Sequence, residues 1–121
     1  MRFKFRKKEK LKSRKMIAAL FSEGKSATKY PVRMIYLESE GLNVSKAAFS
    51  VPKRSFKSAV DRNRFKRLMR EAYRLHKNTL NPNNRHHFAL LFLYIGQNDG
   101  SFGEIEKAII ALLRKLPEKS N

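Results

Sequence analysis

Residues 51–75 read VPKRSFKSAVDRNRFKRLMREAYRL, and two patterns run through them. The apolar residues Val60, Phe65, Leu68, Met69, Ala72 and Tyr73 recur at helical spacing, and from 65 onward the steps are three and four. Such spacing lays one continuous stripe along an α-helix. Asn63, Lys66, Arg67, Arg70 and Arg74 fall at the complementary positions, and Arg62 and Arg64 widen that second stripe near its N-terminal end. Just upstream, Lys53, Arg54 and Lys57 add cations beside the helix start. One face is suited to burial, the other to meeting negative charge.

This helix has to form against repulsion. Cations three and four residues apart on one face destabilise a helix by roughly 0.2–0.5 kcal/mol per pair. Asp61 and Glu71 are the only acids nearby, too few for a solvated face laced with salt bridges. A polyanion is the natural counter-charge, because each phosphate contact releases condensed counterions.

The rest of the chain shares the bias. Its 121 residues carry a formal net charge of +18, with a sequence pI of about 10.7. The length suits one domain with one modest core. A field of this sign points to nucleic acid or to an anionic membrane surface. The membrane role fits less well, because the basic helix needs its apolar face for the core, and no apolar run approaches the ~20 residues that span a bilayer. The N-terminus MRFKFRKKEKLKSRK is basic but lacks the apolar stretch of a secretory signal. The absence of cysteine excludes a disulfide framework, a thiol nucleophile and Cys-ligated zinc. It permits residence in the cytoplasm, the expected location.

Taken in order, residues 1–12 read as a basic, mobile arm ahead of a single domain, with 118–121 as a frayed tail. The spacing predicts a helix from about Ser13 to Glu23, capped by Ser13 and stopped by Gly24, with Met16, Ile17, Leu20 and Phe21 on one side. Those four either pack in the core or, for Ile17 and Phe21, line a groove. A loop through Tyr30-Pro31 leads to a strand at 32–38, where Val32, Met34 and Tyr36 face one way and Arg33, Ile35 and Leu37 the other. After a turn at 40–43, a neighbouring strand at about 44–51 alternates Ala47, Phe49 and Val51 with Lys46, Ala48 and Ser50. Each strand thus pairs a bulky face for the core with a mixed face open to a ligand.

Asn81-Pro82-Asn83-Asn84 is a strong break. HFALLFLYI (87–95) then reads as a strand buried on both faces, and Asn98-Asp99-Gly100 as a turn. Ser101 and Glu104 have capping-box spacing before a helix that aligns Ile105, Ala108, Ile109, Leu112, Leu113 and Leu116, with Pro117 as its stop. At roughly 1.5–3 kcal/mol per large side chain buried, its Leu and Ile residues contribute on the order of 10 kcal/mol before entropy is subtracted. The expected order is α-β-β-α-β-α, an α+β domain with helices over a small sheet.

The block 57–71, KSAVDRNRFKRLMRE, resembles the RNR signature of the bacterial ribonuclease P protein subunit. FSVPKR (49–54) is similar to that family's lead-in, an apolar strand running into two cations. The first helix closing on Phe21 and Gly24, the third strand and the last helix also match in order and spacing, so the resemblance covers roughly 9–116. It implies an α-β sandwich whose mixed sheet holds the basic helix in a left-handed βαβ crossover, against the strongly right-handed default. It further implies the protein subunit of an RNA-based endoribonuclease, with no protein partner and no catalytic residue on this chain. The catalytic centre would lie on a large partner RNA, whose magnesium ions cleave the 5′ leader from precursor tRNA.

By the same resemblance, Lys53, Arg54, Arg62, Asn63, Arg64, Lys66, Arg67 and Arg70 contact that RNA. The single-stranded leader lies in a cleft between the first helix and the open sheet face, lined by Ile17, Phe21, Arg33, Ile35 and Ser50. The alternation along the strands puts the last three on the mixed face independently. Ile17 stands where family members often carry an aromatic residue, and can supply only part of the roughly 1–3 kcal/mol of a base stack.

Two other functions compete. A nuclease site on the protein itself would draw on His76, His86 and His87 with Asp61, Asp99 and Glu104, but metal-assisted hydrolysis needs converging ligands. These acids show no ligand spacing, and adjacent histidines project to opposite sides of a strand. A ribosomal or nucleoid binding protein would use the same basic helix, and composition alone does not separate it from a ribonuclease P subunit.

Overall fold

The computed structural model describes residues 9–38, 45–80, 87–96 and 101–116, with side chains through 77 in the second stretch. The expected turns at 40–43 and 98–100, the break at 81–84, the stop at Pro117, the tail, and residues 1–8 of the arm lie outside them. The elements are α1 (Arg14–Glu23), β1 (Lys25–Lys29), β2 (Val32–Glu38), β3 (Lys46–Ser50), α2 (Ala59–Leu80), β4 (Phe88–Tyr94) and α3 (Phe102–Arg114). They form a mixed four-stranded sheet with helices on both faces. The α+β class holds, with one strand more than expected.

That strand is β1, whose sequence KSATK carries no large apolar residue and has nothing buried. Its signal is weak because it is an edge strand, paired only with β2, antiparallel from Lys25↔Tyr36 to Lys29↔Val32. The Tyr30–Pro31 peptide, which is cis, makes the turn between them.

The sheet order is β1-β2-β4-β3, so β2 and β3 are not neighbours as expected. The most apolar strand, β4, inserts between them, antiparallel to β2 and parallel to β3. The physical reason is burial: Phe88, Leu90, Phe92 and Tyr94 face one layer, and Ala89 and Leu91 the other, so the strand needs a neighbour at each edge and cover on each face. The parallel β3–α2–β4 unit places the basic helix over the sheet.

Two cores result. The larger lies between the sheet and α2 plus α3. There Val32, Met34, Ala47, Phe88, Leu90, Phe92 and Tyr94 meet Phe65, Met69, Ala72 and Tyr73 of α2, and Ile105, Ala108, Ile109, Leu112, Leu113 and Leu116 at α3. The smaller lies under α1, with Leu11, Leu20, Ile35, Ala89 and Leu91 at its centre. Leu11 shows that the arm ends earlier than expected. Its N–H donates to the Ala47 carbonyl oxygen (2.9 Å), Lys10 bridges to Ala47, and Glu9 pairs with Lys77, so 9–11 belong to the fold. The burial of Leu11 in the smaller core adds to these contacts.

The caps follow the sequence. Ser13 Oγ accepts from the Met16 N–H (3.2 Å) and Ser101 Oγ from the Glu104 N–H (3.2 Å). Gly24 ends α1 without a left-handed conformation (φ −70°). Glycine is needed there for space: a Cβ would lie 2.4 Å from the Leu20 carbonyl oxygen and 2.9 Å from Ile35 Cγ2.

Candidate nucleic-acid interface

The basic helix starts where Ser58 ends the loop. The Ser58 carbonyl oxygen accepts from the Arg62 N–H (3.1 Å), and its hydroxyl from the Asp61 N–H (3.5 Å). Arg62 Nη1 reaches back to the carbonyl oxygens of Phe56 and Lys57 (2.9 Å each), so this half-buried guanidinium pins the loop to the helix. Beneath, Phe56, Phe65 and Tyr94 form an aromatic cluster with centroids 4.4–5.6 Å apart. Val60, expected in the apolar stripe, is instead 76% exposed. It precedes Phe65 by five residues, which turns it to the outer face with Arg64 and Arg67, at i+4 and i+7.

Lys53, Arg54, Asn63, Arg64, Arg67 and Arg70 are exposed, and Lys66 is half-buried. The Arg64 guanidinium carbon lies 5.5 Å from the centroid of the Phe65 ring. Among the described residues no carboxylate forms an ion pair with Lys53, Arg54, Arg62, Arg64, Lys66, Arg67 or Arg70. The shortage of acids noted in the sequence survives folding along this half of the helix.

From Glu71 onward it does not. Glu71 pairs with Arg74, whose Nε donates to Oε2 (3.1 Å). That hydrogen bond holds the Glu71 carboxyl below its usual range despite some opposing burial, helped by the charges of Arg74 and Arg70. It raises Arg74 in turn. His76 Nε2 meets Glu106 Oε2 of α3 at 2.9 Å. Lys77 pairs with Glu9, their side chains only 9% and 15% exposed. Next to them Tyr73 is fully buried; burial pushes its phenol well up, and the Glu9 charge adds to the shift.

The second candidate surface is the sheet face under α1. Cross-strand register puts Thr28, Arg33, Leu93 and Ser50 in one row, and Ser26, Ile35, Leu91 and Ala48 in the next. Arg33 and Ser50 therefore stand in one row with Leu93 between them, Arg33 exposed and Ser50 half-buried. Arg33 Nη2 donates to Ser26 Oγ (3.4 Å). Ile35 is 7% exposed, so it is floor beneath α1 rather than open surface. Ile17 is half-buried against the same small core, whereas Phe21 is 63% exposed. Phe21 thus leaves the packed side of α1 that Leu20, Met16 and Ile17 share. Ser50 stands three residues before Lys53, so the sheet face runs directly into the cations ahead of α2.

Reading the strands one at a time missed Leu93 and the β1 hydroxyls of Ser26 and Thr28 as members of this face, while Ala48 stands on it as its alternation with Ala47 and Phe49 predicts. Leu93 was hidden by the uniform apolarity of β4, and Ser26 and Thr28 by the weakness of the β1 signal. Lys46, half-buried and paired with Ala89 on this side, was legible from its alternation with Ala47.

Among the described residues, those proposed for a protein-borne nuclease site form no metal-holding group. His76 is engaged with Glu106 between two helices, His87 stands at the start of β4, and His86 and Asp99 lie outside the described residues. Among the described residues no three His, Asp or Glu side chains are grouped to hold a metal ion, and no helix is long and apolar enough to cross a membrane.

Comparison with known proteins agrees over most of the chain. The family model for ribonuclease P matches residues 5–117. The ribonuclease P protein component of Porphyromonas gingivalis is 40% identical over 112 residues, covering 88% of this chain and 82% of that protein. Its counterpart from Caldanaerobacter subterraneus is 36% identical over 109 residues, covering 89% of each. The solved structure of the Thermotoga maritima RNase P protein superposes with a TM-score of 0.73 at 21% identity, over 90% of this chain and 98% of that one. A Staphylococcus aureus RNase P protein structure gives 0.73 at 18% identity, over 87% and 92%. The two structures share the fold.

Proposed function

Since the chain belongs to the ribonuclease P protein family and is a protein subunit of that ribonucleoprotein, we propose that it works in the cytoplasm by holding two RNA elements on adjoining surfaces. The N-terminal half of α2, with Lys53 and Arg54, docks on the ribonuclease P RNA. The sheet face beside α1, with exposed Phe21 and Arg33, holds the single-stranded 5′ leader of precursor tRNA. The observation that carries this reading is the run of cations from Lys53 to Arg70 without ion-pair partners among the described residues, continuous through Ser50 with the sheet face.

Each residue has a physical task. Arg67 and Arg70 offer charge-assisted hydrogen bonds to phosphates, which also release counterions. Arg62 keeps the loop that carries Lys53 and Arg54 against the helix, so that the cations approach the RNA as one preorganised group. Phe21 presents a ring on which a base can stack, and Arg33 supplies a guanidinium beside it. Magnesium ions, held mainly by the RNA, supply the hydrolytic chemistry when bound; the described residues offer them no converging carboxylates.

Turnover of precursor tRNA by the ribonuclease P RNA at low magnesium, with and without this protein, tests the reading. The protein is expected to raise turnover and to do nothing alone. Cleavage by the protein without RNA, or no stimulation, overturns it. Phe21→Ala is expected to lower affinity for leader-bearing tRNA by roughly 1–3 kcal/mol and to leave mature tRNA unaffected. Equal losses for both would remove Phe21 from the leader site.

A further inference from the structure

The edge strand β1 carries chemistry that these roles leave unused. Ser26 and Thr28 share the face that carries Arg33, while Lys25 and Lys29 flank Ala27 on the side packed by α3. The end of α3 lies beside them, since Lys115 Nζ donates to the Thr28 carbonyl oxygen (3.4 Å). Lys25, Lys29, Arg114 and Lys115 are exposed, and Tyr30, in the turn that follows, is 60% exposed. Among the described residues these four cations form no ion pair, and Lys25 and Lys29 make none even with Glu23, the acid nearest to them in sequence. Lysines on an edge strand also guard it against pairing with another chain. That accounts for Lys25 and Lys29. It does not account for two more cations delivered by a different element, or for an exposed aromatic ring next to them.

We propose that the β1 edge is a second single-strand RNA surface, which takes the part of the 5′ leader lying beyond the cleft. The proposal rests on the leader occupying the sheet face. From that face the row Ser50–Leu93–Arg33–Thr28 crosses the sheet, three strand spacings of ~4.8 Å or about 14 Å. It ends at the β1 hydroxyls, and the lysines stand just over the edge. A cationic track with an aromatic ring alongside is what binds single strands without regard to sequence: phosphates meet the ammonium groups while a base stacks. The surface lies at the opposite edge of the sheet from β3 and the cations that follow it, so it is separate from the α2 interface.

The test compares the assembled ribonucleoprotein carrying Lys25→Glu/Lys29→Glu with the unaltered one, on precursor tRNAs whose leaders are about 4 and about 16 nucleotides long. Affinity for the long leader is expected to fall about tenfold. Its log–log salt slope should become shallower by about 1.4, two phosphate contacts at ~0.7 each for a single strand. The short leader and mature tRNA should bind as before, and an unchanged melting temperature shows that the variant folds. Lys25→Ala/Lys29→Ala should act in the same direction without introducing repulsion. Equal losses for both leaders, or unchanged affinity for the long one, overturn the assignment. Phe21→Ala separates the two levels. If it removes the preference for leader-bearing tRNA while the lysine variants change nothing, only the edge assignment falls. If it leaves that preference intact, the cleft reading falls as well.

Discussion

The two halves of α2 stand on the same kind of foundation and present opposite electrostatics. Under the N-terminal half, Phe65 packs with Phe56 and Tyr94; under the C-terminal half, Tyr73 packs with Phe49 and Phe92, with centroids 5.5–5.9 Å apart. Outward, the first half offers Arg64, Lys66, Arg67 and Arg70 without acidic partners among the described residues. The second half pairs Arg74 with Glu71, His76 with Glu106 and Lys77 with Glu9. A single amphipathic helix is thus divided by charge pairing. The pairs of the second half with Glu106 and Glu9 tie α2 to α3 and to the N-terminal segment; the cations of the first half have no acidic partner among the described residues. The boundary falls near Arg70.

The comparison breaks most severely at the shared foundation. Phe65→Ala removes a 2%-exposed ring from the aromatic cluster and should cost about 3–5 kcal/mol of stability, read from urea unfolding. A loss below 1 kcal/mol, the scale of a surface change, would mean that the first half of α2 is not held by this packing.

Next in size is the outward difference. Arg67→Ala and Arg70→Ala should each weaken binding to the ribonuclease P RNA about tenfold, ~1.4 kcal/mol and near the value of one charge-assisted hydrogen bond. The log–log salt slope should become shallower by about 0.9 in each case. Arg74→Ala should move that slope far less, because its charge is already engaged by Glu71. Equal slope changes for all three would erase the boundary.

The smallest effect sharpens that boundary. Glu71→Gln releases Arg74 and should steepen the slope, by at most about 0.9. Its effect on stability is that of a surface ion pair, roughly 0.2–1 kcal/mol. The Glu71 carboxyl is held below its unfolded range, so its contribution is present above that range and is lost as pH falls through the lowered folded value. Acid unfolding curves of the two proteins should therefore differ at neutral pH and converge in acid. Divergence in acid would assign the wrong sign to the pair.

Much of this was legible in the sequence, and for local reasons. Steps of three and four placed Phe65, Met69, Ala72 and Tyr73 in the core because helix geometry acts over one turn. Ser13 and Ser101 announced caps because a hydroxyl three residues before an N–H can reach it. Val60 was misplaced by the same arithmetic, since a step of five from Phe65 passes to the outer face. Phe21 shares its apolar character with Leu20, and nothing in composition says which of the two the sheet will cover.

Periodicity and capping follow from residues within a few positions of one another, and the surplus of positive charge from composition, so all three are readable without a fold. That β4 separates β2 from β3, that polar β1 joins the sheet, and that Glu9 and Glu106 reach Lys77 and His76 emerge with the folded chain alone. Those outcomes depend on contacts between distant segments, whose free energy comes from burying β4 on both faces rather than from any local preference. Which cations of α2 find an acid on a distant element is settled by that long-range pairing, after the helix carrying them has already been specified.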